Sequence, residues 1–151
     1  MIQAIFTYLL IAGFLINALH DWLDIPGWTH GRQVRAAIGP AKMIIGTAVN
    51  ALLPGVAVFL ALRYWNHPAP LFARIYWVVY CVMAGMGALT SWWIPYFRGT
   101  DEKTRQLYKK MYEGTIQVLP PHGDNPRPNL LHLCLHAIFV VSLPLVVILL
   151  L

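Results

Sequence analysis

Four long apolar stretches, separated by shorter polar segments, dominate the pattern of this chain. They cover about residues 2–23, 42–62, 72–96 and 130–151. Each is close to the roughly 20 apolar residues that a helix needs to cross the hydrocarbon core of a bilayer. An open strand in lipid would leave its backbone polar groups without partners, whereas a helix satisfies its own. The pattern therefore predicts an all-α, integral membrane four-helix bundle that forms a single domain, 1–151.

The polar connection at 98–129 divides into two parts. Its first half has an apolar stripe at helical spacing, which predicts a short helix that Thr100 caps and Gly114 ends. Such a helix would lie along the membrane interface or, on the alternative interpretation, pack on the bundle as an ordinary solvated helix. The second half, 119–129, contains four prolines and predicts an ordered, non-helical segment, here called the strap, or, on the alternative interpretation, a mobile linker. The stripe consists of Leu107, Tyr108, Met111, Tyr112 and Thr115.

Composition and charge agree with a membrane protein. Only 11% of the residues are charged, against about 25% in a typical soluble domain. The net charge of +5 arises mainly from Lys and Arg in the first and third connections. A basic rim of this kind favours contact with anionic lipid headgroups and argues against nucleic-acid binding. The positive-inside rule places loop 98–129 in the cytoplasm and both termini on the opposite, non-cytoplasmic side.

Polar side chains from all four predicted helices reach the cytoplasmic end of the bundle. Ionisable residues in membrane spans are costly, and they usually face the bundle interior or a cavity. We therefore expect a pocket at the cytoplasmic face. Its predicted members are Asn17, His20 and Asp21 from the first helix, Lys42 and Asn50 from the second, Trp92 and Tyr96 from the third, His132 and His136 from the fourth, and Arg127 and Asn129 from the strap.

The histidines suggest two kinds of chemistry. His20, Asp21, His132 and His136 could act as catalytic acids and bases, with Asp21 orienting an imidazole. His132 and His136 lie four residues apart, so they could also hold one zinc or iron ion with His20 as a third ligand. A third interpretation is that the paired histidines are only hydrogen-bonding groups in the headgroup region.

The remaining polar candidates suggest ligand binding or structural roles. Asn17, Lys42, Asn50, Trp92, Tyr96, Arg127 and Asn129 are the predicted substrate-binding residues. An ion pair between Asp21 and Lys42 would join the first two helices, or it would handle protons together with His20. The small residues Ala84, Ala88 and Ser91 share one face of the third helix, which favours close helix packing.

Three classes of function are compatible with these features. The first is a membrane enzyme that acts on an amphiphilic or lipid-like substrate. The second is a small transporter or channel subunit, although the second helix is apolar beyond Asn50 and offers a monomer no continuous polar path. The third is a non-catalytic subunit or assembly factor of a membrane complex. The expected partners are the bilayer, anionic headgroups or an amphiphilic ligand, and a second copy or another membrane subunit.

Overall fold

Four long helices form the body of the protein. The computed structural model describes residues 1–150, so the last predicted helical residue, 151, lies outside the described part. The long helices are α1 (Ile2–Leu19), α3 (Pro40–Arg63), a third that runs Leu71–Arg98, and α7 (Leu130–Leu150). Each is long and apolar enough to span a membrane, as the sequence pattern predicts. The third consists of α4 (Leu71–Ala88), a π-helical turn (Leu89–Trp93) and α5 (Ile94–Arg98).

The long helices alternate in direction and stand side by side. Helix α1 packs against α3 and α7, and α4 packs against α7 and α3. The end of α1, the start of α3, helix α5 and the start of α7 consequently lie at one end of the bundle, here called the site end. Two shorter helices, α2 (Gly31–Ile38) and α6 (Glu102–Tyr112), pack against each other there.

The well-packed core occupies the half of the bundle away from the site end. Phe6 and Trp77 are almost completely buried, and their rings meet edge to face with centroids 5.4 Å apart. Fully buried Ala57, Ala61 and Ala73 leave room for these rings. The indole N–H of Trp77 donates to the Ala57 carbonyl at 3.1 Å, which satisfies the polar atom of a buried aromatic side chain.

The first helix is shorter than predicted. It ends at Leu19 and not near residue 23, and a small antiparallel hairpin follows, with strands Asp24–Ile25 and Thr29–His30. Gly27 has φ +77° in the hairpin turn, a conformation that favours glycine. The Thr29 hydroxyl accepts from the Ile25 N–H and donates to the Leu23 carbonyl. These local bonds replace the last turn of the predicted helix.

The π-helical turn has a direct consequence for packing. Pro95 follows it and lacks an N–H, so it cannot bond the carbonyl of Ser91 four residues earlier. The Tyr108 hydroxyl of α6 donates to that Ser91 carbonyl instead. The proline thus creates an acceptor that attaches α6 to the third long helix.

The connection between α5 and α7 is ordered as predicted, with one correction. Asp101, and not Thr100, caps α6 by accepting the Thr104 backbone N–H at 3.0 Å. Gly114, with φ +81°, follows the end of α6. The strap is non-helical, and Tyr96 fixes it by donating its hydroxyl to the Pro120 carbonyl at 3.0 Å.

Ile116 connects the hairpin after α1 to the start of α7. Its N–H donates to the Gly27 carbonyl in the hairpin at 2.7 Å, and its carbonyl accepts from Leu130 N–H at 2.9 Å. The hairpin after α1 and the first residue of α7 are therefore held to one backbone segment just before the strap.

Candidate functional site

A cavity of about 480 Å³ lies at the site end, between the four long helices and under α6. Its polar and apolar lining residues are separated. The polar groups lie toward α6, and the apolar groups line the part toward the core. The polar part, here called the polar end, contains Asn17, His20, Asp21, Asn50, Ser91, Tyr112, His132 and His136. The apolar part includes Val49, Leu53, Met83, Leu135 and Phe139.

His132 is held in one tautomer by Asn129, which caps α7. The backbone N–H of His132 donates to Asn129 Oδ1 at 3.0 Å, so that atom must be the amide oxygen. His132 Nδ1 lies 2.7 Å from the same oxygen and must therefore carry a hydrogen. In the neutral ring the lone pair is consequently on Nε2. This nitrogen is the one free to accept a proton or bind a ligand.

His20 and Asp21 lie in contact at the end of α1. His20 Nδ1 lies 3.0 Å from the Ile16 carbonyl and 3.1 Å from the Asn17 carbonyl, so it carries a hydrogen. His20 Nε2 lies 3.2 Å from Asp21 Oδ1, which is buried and lacks an aligned hydrogen bond. An imidazole nitrogen and a carboxyl oxygen therefore face each other at the wall of the cavity.

Aromatic side chains surround His132. The Trp92 ring lies 4.1 Å from the His132 ring, centroid to centroid, and the Tyr112 ring lies 5.2 Å away at a nearly right angle. The His20 ring is 5.4 Å away, also perpendicular. Burial raises the pKa of Tyr112 well above its usual value, and the nearby Asp21 carboxylate raises it further. Tyr112 thus contributes a neutral hydroxyl group close to the Asp21 carboxylate.

His136 is one turn beyond His132 on the same helix. It is buried, and its Nδ1 has no hydrogen-bond partner. A buried polar nitrogen left without a partner costs stability and calls for an explanation. Because His136 lines the cavity, a polar group of a bound molecule is a suitable partner.

The structure brings together seven of the predicted site residues and leaves four outside the cavity. Asn17, His20, Asp21, Asn50, Trp92, His132 and His136 line it. Tyr96, Arg127 and Asn129 instead hold the strap and the start of α7. Arg127 donates to the Leu119 carbonyl at 3.0 Å, within the strap itself.

The predicted ion pair between Asp21 and Lys42 is wrong. Lys42 is exposed near the start of α3, and no ion pair within residues 1–150 includes it. The early end of α1 explains the difference, because Asp21 lies in a turn after the helix and meets the neighbouring His20. Asp24 is on the hairpin, where the backbone N–H and guanidinium of Arg32 lower its pKa.

The expected three-histidine metal site is also absent from the described residues. No group of three His, Cys, Asp or Glu side chains within residues 1–150 has the arrangement to hold a metal ion. The His132 and His136 rings are 6.3 Å apart, and His132 Nδ1 is occupied by Asn129. The geometry favours proton transfer and hydrogen bonding at these rings.

The sequence analysis missed the contribution of α6 to the site. Tyr108 and Tyr112 line the cavity, as do Leu107 and Met111. All four belong to the predicted apolar stripe, so the stripe faces the cavity. A stripe shows which face of a helix is covered, but it does not show which part of the bundle covers it.

The predicted small-residue face of α4 takes part in both packing and the cavity. Ala84 packs against the buried core, and Ala84, Ala88 and Ser91 line the cavity together with Gly87. A Cβ built on Gly87 would meet no atom within 4 Å, so space is left open beside it.

A second, polar cleft of about 720 Å³ lies on the other side of α6, between this helix and the strap. Tyr108 and Tyr112 line both spaces and separate them. Acidic and basic groups are mixed there, and Arg105 Nε and Gln117 Oε1 are buried without partners.

No known protein family, characterised protein or solved structure is detectably similar to this chain.

Proposed function

We propose that this chain is an integral membrane enzyme that carries out proton-transfer chemistry on the polar end of an amphiphile. One observation carries the proposal. His20 and Asp21, from the end of α1, and His132, from the start of α7, converge at the polar end of a cavity whose remaining part is lined by apolar groups. Costly ionisable groups that gather in this way at the end of membrane helices usually mark a functional site.

The cavity suits a ligand with two unlike ends. Its volume of about 480 Å³ lies within the ~300–1,000 Å³ typical of small-molecule sites. The polar end would bind a headgroup, and Leu53, Met83 and Phe139 would contact a hydrocarbon chain. Helix α6 would cover the polar end at the membrane interface and keep bulk water from it.

The side chains at the polar end support distinct chemical roles. His132 Nε2 acts as general base, because Asn129 keeps the other ring nitrogen protonated. His20, in contact with Asp21, would act as the general acid that returns a proton to the product. The neutral Tyr112 hydroxyl donates a hydrogen bond to the oxygen on which negative charge develops.

The packed half of the bundle favours an enclosed site over a transport path. Phe6, Trp77 and Val146 are buried to 1% exposure or less in the half beyond the cavity. A solute path would have to cross this apolar layer. The second class considered from the sequence, a transporter or channel subunit, therefore has less support than an enzyme.

The test uses the purified protein in nanodiscs supplied with a total membrane lipid extract. Mass spectrometry should find an amphiphile that the unaltered protein consumes and that His132→Gln leaves unchanged. His67→Gln, which alters an exposed histidine in the turn between α3 and α4, is the matched control and should retain full turnover. An amphiphile that co-purifies but is never converted would contradict the catalytic part of the proposal.

A further inference from the structure

We infer that the substrate enters the cavity sideways from the bilayer, between α3 and α4, and that it is a single-chain amphiphile. This inference rests on the proposed function, which supplies the amphiphile. The entrance, here called the α3–α4 opening, is formed by Val49 and Leu53 on α3 and by Met83 and Gly87 on α4.

The two helices are joined only toward the half away from the site end. The Tyr76 hydroxyl donates to the Leu53 carbonyl at 2.9 Å, and the Trp77 indole donates to the Ala57 carbonyl. Toward the site end the helices lack such contacts. A Cβ placed on Gly87 of α4, which lines the cavity, would meet no atom within 4 Å. The bundle is therefore closed on one side of Leu53 and open on the other.

The walls of the opening are apolar on both their inner and outer sides. Val49, Leu53 and Met83 line the cavity, yet they are 59%, 45% and 59% exposed on the outside of the bundle. One continuous apolar surface thus leads from the polar end to the outer face. That face also carries Leu52 and Phe59, which are 68% and 64% exposed. A hydrocarbon chain continuous with the surrounding lipid is the occupant that this surface fits.

The size of the space favours one chain over two. The cavity of about 480 Å³ must hold the headgroup near His132 as well as the first part of the chain. The Tyr76–Leu53 hydrogen bond limits the opening at its inner edge. A diacyl lipid would need both chains to pass between the same two helices.

The experiment places the protein in nanodiscs of phosphatidylcholine and phosphatidylglycerol. The first probe is a fatty acid with a diazirine at the end of its chain, and the second is a diacyl phosphatidylcholine with the same group on one chain. Mass spectrometry maps the residues labelled after illumination. Gly87→Leu places a side chain in the opening, whereas Gly85→Leu adds the same side chain outside the cavity lining. Val49→Trp obstructs the opening from α3, in case Gly87→Leu fails to fold.

The expected result is that the fatty acid labels Val49, Leu53 or Met83. Labelling should fall about tenfold in Gly87→Leu and in Val49→Trp, because the added atoms occupy the ligand's space, and it should stay unchanged in Gly85→Leu. Equal labelling in all variants, or cross-links between two copies at these residues, would overturn the inference. Equal labelling by the diacyl probe would overturn the single-chain assignment.

The result also separates the inference from the proposed function. Lipid turnover that depends on His132 but is insensitive to Gly87→Leu and Val49→Trp would leave the enzyme proposal in place and remove the opening. Absence of both labelling and turnover in the unaltered protein would overturn both.

Discussion

Asn129 links the folding of α7 to the chemistry of His132. Its side-chain oxygen accepts one hydrogen bond from the helix backbone and another from the imidazole. The first bond is an ordinary N-cap, whereas the second determines which ring nitrogen is free. Asn129, which the sequence analysis predicted to bind substrate, thus orients the imidazole ring of His132.

Replacement of Asn129 should separate these two effects. Asn129→Ala should destabilise the protein by about 1–2 kcal/mol, because it removes a helix cap and leaves buried donors without an acceptor. Asn129→Asp keeps an acceptor for both donors and should restore most of that stability. Reversible unfolding in mixed micelles measures the difference. If Asn129→Ala is as stable as the unaltered protein, the buried cap has been misassigned.

Tyr112 should make the protein sensitive to alkaline pH. Its pKa is raised above the ordinary value of about 10, so the folded state keeps the phenol proton more firmly than the unfolded state does. Stability is therefore unaffected below pH ~10 and falls as the pH rises through the folded-state pKa. The ultraviolet titration curve of Tyr112→Phe, subtracted from that of the unaltered protein, isolates the phenolate of Tyr112. This difference signal should appear only above the ordinary pKa of tyrosine, and a signal near pH 10 would refute the prediction.

At the scale of elements, the long helices were predictable and their irregular ends were not. Twenty apolar residues determine a span, but the end of α1 depends on hydrogen bonds that Thr29 makes across the hairpin. Likewise, no local pattern marks the π-helical turn, whose Ser91 carbonyl accepts a hydrogen bond from Tyr108 of the later helix α6. Local pattern carries the first kind of information, and tertiary contacts carry the second.

The π-helical turn should be essential for the position of Trp92. Deleting Thr90 removes the extra residue of this turn, so a regular α-helix can form through it while the segment after it keeps its orientation. Trp92 lies within the turn and would move away from His132, whereas Tyr96 would keep its bond to the strap. We expect a loss of thermal stability. Thr90→Ser keeps the hydroxyl that donates to the Met86 carbonyl at 2.9 Å and should unfold close to the unaltered protein; equal behaviour of the two variants would argue against a positioning role.

Gly31 is the point where α2 meets the backbone of Asp21 and Trp22. A Cβ there would lie 2.7 Å from the Asp21 carbonyl oxygen, so the backbone next to His20 would have to move. Gly31→Ala should therefore cost about 1–3 kcal/mol and lower turnover. Gly46→Ala, on α3 with open space around it, is the control and should be neutral or slightly stabilising. Loss of stability in both variants alike would show that the close approach is not the cause.

For the whole molecule, the sequence predicted the bundle and the end at which polar groups collect, but not which of them meet. Helical spacing correctly places His20 and His132 on facing sides of their helices. It could not exclude Lys42, whose distance from Asp21 depends on how the chain turns between α1 and α3. Nor could it show that small residues on α4 leave an opening, since the same pattern also serves close packing.

The orientation of the molecule follows from its charges and is open to direct test. The positive-inside rule predicts that Lys110 faces the cytoplasm and that His67 faces the opposite side. In intact cells, an impermeant thiol reagent should label His67→Cys but reach Lys110→Cys only after the membrane is permeabilised. The native Cys81 is buried, and the unaltered chain provides the background signal. The reverse labelling pattern would invert the assignment.

The two backbone bonds of Ile116 have a consequence for biosynthesis. A ribosome delivers the hairpin that contains Gly27 long before Ile116, and Leu130 emerges later still. Until Ile116 emerges, the hairpin has no partner for its Gly27 carbonyl, and until α7 is inserted, the first span has no imidazole opposite His20. A nascent chain that stops before Leu130 would therefore hold the hairpin but leave the site end without its histidines from α7.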